Sequence, residues 1–430
     1  MPDYGVLTAE DAVTAEDDVK ERIRLELARL QSLLEKNYQA VSVLAPSSVP
    51  RASKPDFSIY TGAGGNAYMY WKLSEHYARH FNKSESKRCL QLAVAAIETA
   101  LSLIGQMAKL HVNSYIGVSF YIGDAGIYAL ASVIYHRSGH VNKCQHCVQQ
   151  LLSESSRASK VDEDEILYGR AGYLFCLLFV KKHLPAHLVP IEKLESTATS
   201  VAEVVIETGV KGSRGQKHLR YFFLGSEYLG AAHGLCGIIY VLMYFPHLMS
   251  NSRINLLIKE SLDYLLNVQL PSGNFPAAAD DDPSRADCLV HWCHGAPGFV
   301  SLFTKANECY GDVKYKEAAL AAARCVWHRG LLRKGIPLCH GISGNAYAFF
   351  NLYRATKDLE HKYRALKFCE ALCDPAVQKQ LTEYDDRSRH VKGVPDTPYS
   401  LLEGYAGVVC LFVDALSPEQ SAFPGYDGDM

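Results

Sequence analysis

Gly-x-x-Gly occurs seven times in this chain, as GAGG at Gly62, GDAG at Gly123, GRAG at Gly169, GLCG at Gly234, GAPG at Gly295, GISG at Gly341 and GYAG at Gly404. Successive first glycines lie 61, 46, 65, 61, 46 and 63 residues apart. One such tetrapeptide carries no information, because glycine is common. Seven in near register, each leading into an apolar, aromatic-rich run, indicate a repeat architecture. After the sixth motif, Ala346, Phe349, Phe350 and Tyr353 fall at i, i+3, i+4 and i+7, the spacing of one helix face. Between motifs a second stripe recurs, as in Leu92, Ala93, Ala96, Ile97, Ala100, Leu101 and Ile104. Each repeat is therefore a helix pair. Strand-type alternation is scarce, and Asn-Gly or Asp-Gly hairpin turns are missing outside the extreme C-terminus.

Seven helix pairs either stack as an open array or close into a ring. Periods of 46 to 65 residues exceed those of the common solenoids. A glycine at every motif lets the starts of the inner helices crowd together and the preceding loop bend inward. The expectation is an all-α protein, an α/α toroid of seven helix-pair repeats with GxxG at the inner-helix starts. It occupies 51–424 as a single domain, after an N-terminal segment 1–50 and before a C-terminal tail 425–430. Within the N-terminal segment, Thr14 to Tyr38 reads as an amphipathic helix opened by a Thr-x-x-Asp cap and lined by Val19, Ile23, Leu27, Leu30 and Leu34, packed outside the ring. Three long loops, Ser153 to Asp164, Pro271 to Asp287 and Asp385 to Pro398, are candidate lids or substrate contacts.

Composition narrows the partners. A formal charge of −2 gives no electrostatic case for nucleic acid or an anionic membrane. The longest apolar stretches, such as Leu235 to Phe245, reach about half of the roughly 20 residues needed to span a bilayer. Pro2 stands where N-myristoylation needs glycine, so any membrane contact is expected to be peripheral. Thirteen cysteines, an odd number without the spacing of a disulfide framework, and the lack of a secretory leader pattern fit a reducing cytoplasm.

If the motifs start the inner helices, the residues just before them gather at one end of the ring. Directly ahead of the first glycines stand Thr61, Ile122, Tyr168, His233, His294, His340 and Glu403, and Cys293 and Cys339 come one position earlier. A free cysteine is usually buried and inert. Two in equivalent positions of adjacent repeats, with an imidazole alongside, make a zinc site: Cys293, Cys339 and His340, with the fourth position left to substrate or water. By contrast CQHC at Cys144 to Cys147 lacks a second ligand pair and reads as structural. Converging helix N-termini beside an open metal position favour an anion, above all a thiolate. His233, in the same repeat slot as His340, is then a candidate proton donor or acceptor, against the plain alternative of a cap or packing residue.

WCHGAPG at Trp292, CHGISGNAYAFFNLY at Cys339, AAHG at Ala231, ILYGRAGY at Ile166 and PDTPYSLLEGYAG at Pro395 together resemble the LanC-like family, eukaryotic relatives of the bacterial lanthionine cyclases. The resemblance covers about Tyr60 to Pro424. It implies a double-layered α/α toroid with zinc on Cys293, Cys339 and His340, and a reaction in which glutathione is added to dehydroalanine or dehydrobutyrine residues of peptides or proteins to form a thioether. It further implies that His233 serves the proton transfer at the α-carbon with Asp164 or Glu165 beside it, although the run DEDE reads as well as a solvated acidic face. Lys334 matches a lysine that holds glutathione. The segment Gly393, Val394, Pro395 and Asp396 matches a glutathione-contacting stretch that reads Arg-Thr-Pro-Asp in close relatives, so its arginine is missing here. His294, where bacterial cyclases often carry tyrosine, is expected to orient the substrate. The alternative to an enzyme is a non-catalytic zinc- and glutathione-binding adaptor; prenyltransferase-type toroids, whose zinc sets include an Asp, rank behind both.

Overall fold

Each inner helix begins on the residue after the first glycine of a motif, and the glycine itself is the N-cap. The computed structural model of the chain describes residues 9–43, 56–109, 117–382, 384–385, 390–391, 397–428 and 430. Its body is built from α1 (Ala9–Val43), α2 (Ala63–Arg79), α3 (Lys83–Lys109), α4 (Asp124–Arg137), α5 (Val141–Ser153), α6 (Arg170–His183), α7 (Ile191–Ser213), α8 (Leu235–Leu242), α9 (Ser252–Asn267), α10 (Ala296–Tyr310), α11 (Val313–Arg329), α12 (Ile342–Thr356), α13 (Leu359–Cys373) and α14 (Tyr405–Leu416). Even-numbered helices form the inner layer and odd-numbered ones the outer layer. Each inner helix packs on the next and α14 packs back on α2, so the ring closes as an α/α toroid. The only strands among the described residues are Tyr384–Asp385 and His390–Val391, paired antiparallel.

The motif glycines are required by close approach. At Gly298, the second glycine of the fifth motif, a Cβ would lie 2.6 Å from the Trp292 carbonyl oxygen and 2.7 Å from Ala231 Cβ of the preceding repeat, closer than van der Waals contact permits. A side chain there would push neighbouring loops apart. Inner helices are buried almost all round, as a layer covered on both faces must be; α6 buries every residue from Arg170 to Val180.

The seventh inner helix, α14, has no outer helix after it in sequence. Its partner comes from the other end of the chain. Helix α1 lies against α14 and α13, burying Val19, Ile23, Leu27, Leu30 and Leu34, and so supplies the last outer position. Helix α1 is thus the outer member of the last pair. Its helix starts at Ala9, five residues before the expected cap, because Ala9, Glu10 and Ala12 are good helix formers and nothing among them ends the helix. Thr14 is an interior residue.

Helix α3 is long and apolar enough to cross a membrane by length and composition alone. It buries Cys89, Ala93, Ala96, Ile97 and Ala100 against the inner layer and turns Glu98, Thr99, Ser102 and Gln106 outward.

Residues Phe423 to Asp427, which straddle the expected boundary between the domain and the tail 425–430, enter the ring from the pole opposite the motif loops. Phe423 and Tyr426 are buried, and Asp427 accepts hydrogen bonds from Tyr240 Oη at 3.0 Å and Asn351 Nδ2 at 2.9 Å while pairing with Arg354. Aromatic area and a satisfied carboxylate offset the cost of ordering the chain end.

Candidate metal and acid-base site

A circuit of backbone hydrogen bonds joins the seven motif loops at one pole. Tyr60 N donates to Tyr121 O (3.0 Å), Leu167 N to Ala232 O (3.3 Å), Ala232 N to Cys293 O (3.4 Å), Cys293 N to Cys339 O (3.2 Å), Cys339 N to Leu402 O (3.0 Å) and Leu402 N to Tyr60 O (3.0 Å). All of these residues stand two positions before a first glycine. At the one remaining junction, Val118 N donates to Tyr168 O (2.9 Å). Cysteines 46 residues apart in sequence are thereby locked side by side.

The thiol sulfurs of Cys293 and Cys339 and a ring nitrogen of His340 all lie within 4.8 Å of one another, with both cysteines buried and the histidine half-buried. Cys339 accepts hydrogen bonds from Cys293, His340 and Tyr60; the first of these is the largest influence holding its thiol well below the usual range, and the same bond pushes Cys293 up. A tetrahedral zinc ion bonded at about 2.3 Å to sulfur and about 2.0 Å to nitrogen holds its donors about 3.5–3.8 Å apart, so a small closing of these side chains meets that requirement. Soft donors in this number fit zinc. The fifth motif is further fixed by Gly295, whose φ of +100° is left-handed, and by Asn274, whose Oδ1 accepts from Ala296 N at 2.8 Å.

The neighbouring motif loop, bonded to the Cys293 carbonyl through Ala232 N, carries a histidine–carboxylate pair. His233 Nδ1 meets Glu165 Oε2 at 3.1 Å, and Glu165 also accepts from Leu167 N at 2.7 Å and Tyr168 N at 2.6 Å. Burial pushes the Glu165 carboxyl up, and the bond to His233 opposes that rise. Asp164 turns away to Arg170, at 2.7 Å from Nη1, and burial raises its carboxyl to about 6. The two acids of DEDE that sequence left as alternatives thus have separate partners; Asp162 faces solvent. Phe223 stacks on the His233 ring at 4.6 Å and 10°, and Tyr228 stands beside both His233 and His294. His233, Glu165, Asp164, Phe223 and Arg220 line a cleft of about 220 Å³.

His294 links the two groups: its ring is 6.0 Å from that of His233, and its Nδ1 is buried with no hydrogen-bond partner among the described residues. Burial first, then the charge of His233, lowers it to about 4, so the ring is neutral at physiological pH. His291, which sequence reading passed over, is lowered to about 3 by burial and by the nearby Lys334 ammonium, and its ring is 6.1 Å from His340. Lys334 is exposed, and its charge is felt at His291, Cys293 and His294. Gly393, Val394, Pro395 and Asp396 lie outside the described residues, as does most of the loop Asp385 to Pro398. Of the other two long loops, Pro271 to Asp287 reaches this pole, where Leu229 N donates to Ala277 O (2.9 Å) and Asn274 secures the fifth motif.

Tyr60 was also missed, though it occupies the register position of the two cysteines. Burial and Cys339 push its phenol far above the usual range, so it stays protonated and donates to the sulfur. Extending the comparison of motif loops by one position would have found it. Phe223 and Tyr228 had no such signal, because they come from an irregular connection between repeats.

Comparisons with known proteins agree with this architecture. The profile of the family described as "Lanthionine synthetase C-like protein" matches residues 53–427. The chain is 32% identical over 99% of its length to "Glutathione S-transferase LANCL1" of Danio rerio, covering 97% of that protein, and 31% identical over 90% of its length to "LanC-like protein GCL1" of Arabidopsis thaliana, covering 84% of it. Among solved structures, "Nisin cyclase" superposes with a TM-score of 0.65 at 18% identity over 92% of this chain and 94% of that one, which bears on the fold.

Proposed function

The chain belongs to the lanthionine synthetase C-like family, and on that premise we propose that it is a zinc-dependent transferase joining the glutathione thiol to dehydroalanine or dehydrobutyrine residues of peptides or proteins as a thioether. What carries the reading is the placing of two cysteines and a histidine around one point, next to a histidine–carboxylate pair, in a chain similar throughout to a protein named a glutathione S-transferase. Cys293, Cys339 and His340 would hold the ion. Bound there, zinc supplies the Lewis acidity that lowers the pKa of an incoming thiol.

The remaining work falls to the chain's own side chains. Addition forms the C–S bond at the β-carbon as the alkene π pair moves towards the α-carbon and its carbonyl, leaving an enolate. A proton must then reach the α-carbon. His233 is the proposed donor through its Nε2, since Nδ1 is held by Glu165. Glu165 fixes the tautomer and ring plane, and Phe223 stacks against the ring face. His294, neutral and with a free buried nitrogen, is placed to hold a polar group of the substrate. Lys334 is the proposed partner of a glutathione carboxylate, with Gly393, Val394, Pro395 and Asp396 as the proposed second contact.

The test is incubation of the purified protein with glutathione and a dehydroalanine-containing peptide, followed by mass spectrometry. The expected result is an adduct of one glutathione per dehydroalanine that disappears when zinc is removed by chelation and returns when it is restored. Retention of glutathione by the zinc-loaded protein without any adduct would instead establish the adaptor.

A further inference from the structure

The C-terminal tail touches the site from beneath, through two residues that carry it. Residues Phe423 to Tyr426 form a tight turn, with Pro424 at its second position and Gly425 at its third with φ +78°, the pattern of a type II turn. Phe423 N closes back on Asp427 O at 2.8 Å, and Tyr426 N on Phe423 O at 2.9 Å. Phe423 stacks on the Trp292 indole at 4.8 Å, and Tyr426 meets it edge-on at 5.3 Å. Trp292 is the residue before Cys293. On the other side of the turn, Tyr121 Oη donates to Pro424 O at 2.8 Å, and the Tyr121 ring lies so close to Gly425 that a Cβ there would approach it to 2.6 Å. The Tyr121 carbonyl in turn accepts from both Ile59 N and Tyr60 N, and Tyr60 bonds Cys339. The tail therefore stands under both cysteines, one through Trp292 and the other through Tyr121 and Tyr60. It is held in place at the far pole by Asp427, with Tyr240, Asn351 and Arg354 around its carboxylate.

We propose that Phe423, Pro424 and Tyr426 are positioning residues of the metal site: the turn they form wedges Trp292 against Tyr121 and so sets the spacing of Cys293 and Cys339. The inference rests on the zinc-site reading above and adds to it a component from the opposite end of the fold. Two aromatic contacts converge on Trp292, the neighbour of Cys293, and one hydrogen bond reaches Tyr121, whose carbonyl holds the backbone of Tyr60 beside Cys339. An apolar filler of the core would need no such register. Supporting groups one step removed from a metal's ligands typically change its affinity by about 10- to 100-fold when removed.

The experiment measures zinc affinity of the full-length protein by competition with a chromophoric chelator, and the ligand-to-metal absorption of the cobalt-substituted protein. Phe423→Ala is expected to weaken zinc binding by about 10-fold or more and to alter the cobalt spectrum. Tyr426→Phe, which keeps the ring, is expected to behave as wild type. Because Phe423→Ala also removes core contacts, Phe368→Ala, which deletes an equally buried ring packed on Phe349 and Trp327, serves as the control and is expected to leave zinc affinity unchanged. Equal affinity in wild type and Phe423→Ala overturns the proposal, as does an equal loss in Phe368→Ala. A wild-type protein that takes up no zinc would overturn the site reading together with this inference, whereas a zinc-binding wild type with an insensitive tail overturns only the latter.

Discussion

The two sides of the motif pole share a backbone and differ in side chains. Around repeats five and six, the position two before the first glycine holds Cys293 and Cys339; in repeats one and two, the same position holds Tyr60 and Tyr121. The hydrogen-bond circuit uses only N–H and C=O groups and is indifferent to what each residue carries. The repeat can thus stay mechanically constant while the proposed metal ligands are confined to one arc. Tyr60 shows how the quiet side contributes: it faces the sulfurs across the ring closure and donates a hydrogen bond to Cys339.

The sharpest way to break this comparison is to erase the chemistry and look for damage to the scaffold. Cys339→Ala should abolish stoichiometric zinc, measured by elemental analysis, and reduce adduct formation by more than about 10⁴-fold, since a three-ligand catalytic ion tolerates loss of a ligand poorly. Its helical circular dichroism should match wild type. A collapse of helicity would mean that the metal arc also holds the ring.

Next in size, His233→Ala should lower kcat by about 10²- to 10⁴-fold with zinc content unchanged, the range for a lost general acid. Loss of zinc in this variant would merge two groups that the structure separates.

Smaller again, Glu165→Gln should cost roughly 10- to 100-fold in kcat, the scale seen when the partner that orients a functional histidine is altered. Asp164→Asn should leave kcat within about 3-fold and act on stability through Arg170, which is left buried beside a neutral partner. Equal kcat losses in the two variants would show that the DEDE run acts as a unit.

The smallest effect belongs to the scaffold side. His76 on α2 is buried and lowered to about 4, by burial first and then by His80. The unfolded chain, with an imidazole near 6.5, binds more protons between these values, so the stability is present above about pH 6.5 and is lost as pH falls towards 4. Urea denaturation should show a decline across that window to which His76 contributes up to about 3 kcal/mol beside His291 and His294, so that it is smaller by that amount in His76→Leu, with adduct formation at neutral pH untouched.

Much of this was legible in the chain. Seven inner helices start where the motifs say, because a glycine that must admit a neighbouring loop and cap a helix leaves a local mark. The meeting of Cys293 and Cys339 followed from their equal places in successive repeats, with His340 the next residue in the chain, since equivalent positions of a ring fall on one circle. Local pattern determined the repeat, the helical class and the register of the pole. Only the tertiary structure decided that α1 would serve as the seventh outer helix, that Glu165 and not Asp164 would face His233, and that the last residues would pass under the pole to Trp292. The contacts between α1 and α13, or between Pro424 and Tyr121, join residues hundreds of positions apart that share no period. The choice between adjacent acids turns on which way each side chain points as the loop bends. Periodicity encodes what every repeat must do; the closure of the ring and the pairing of single side chains depend on packing, which has no counterpart in spacing along the chain.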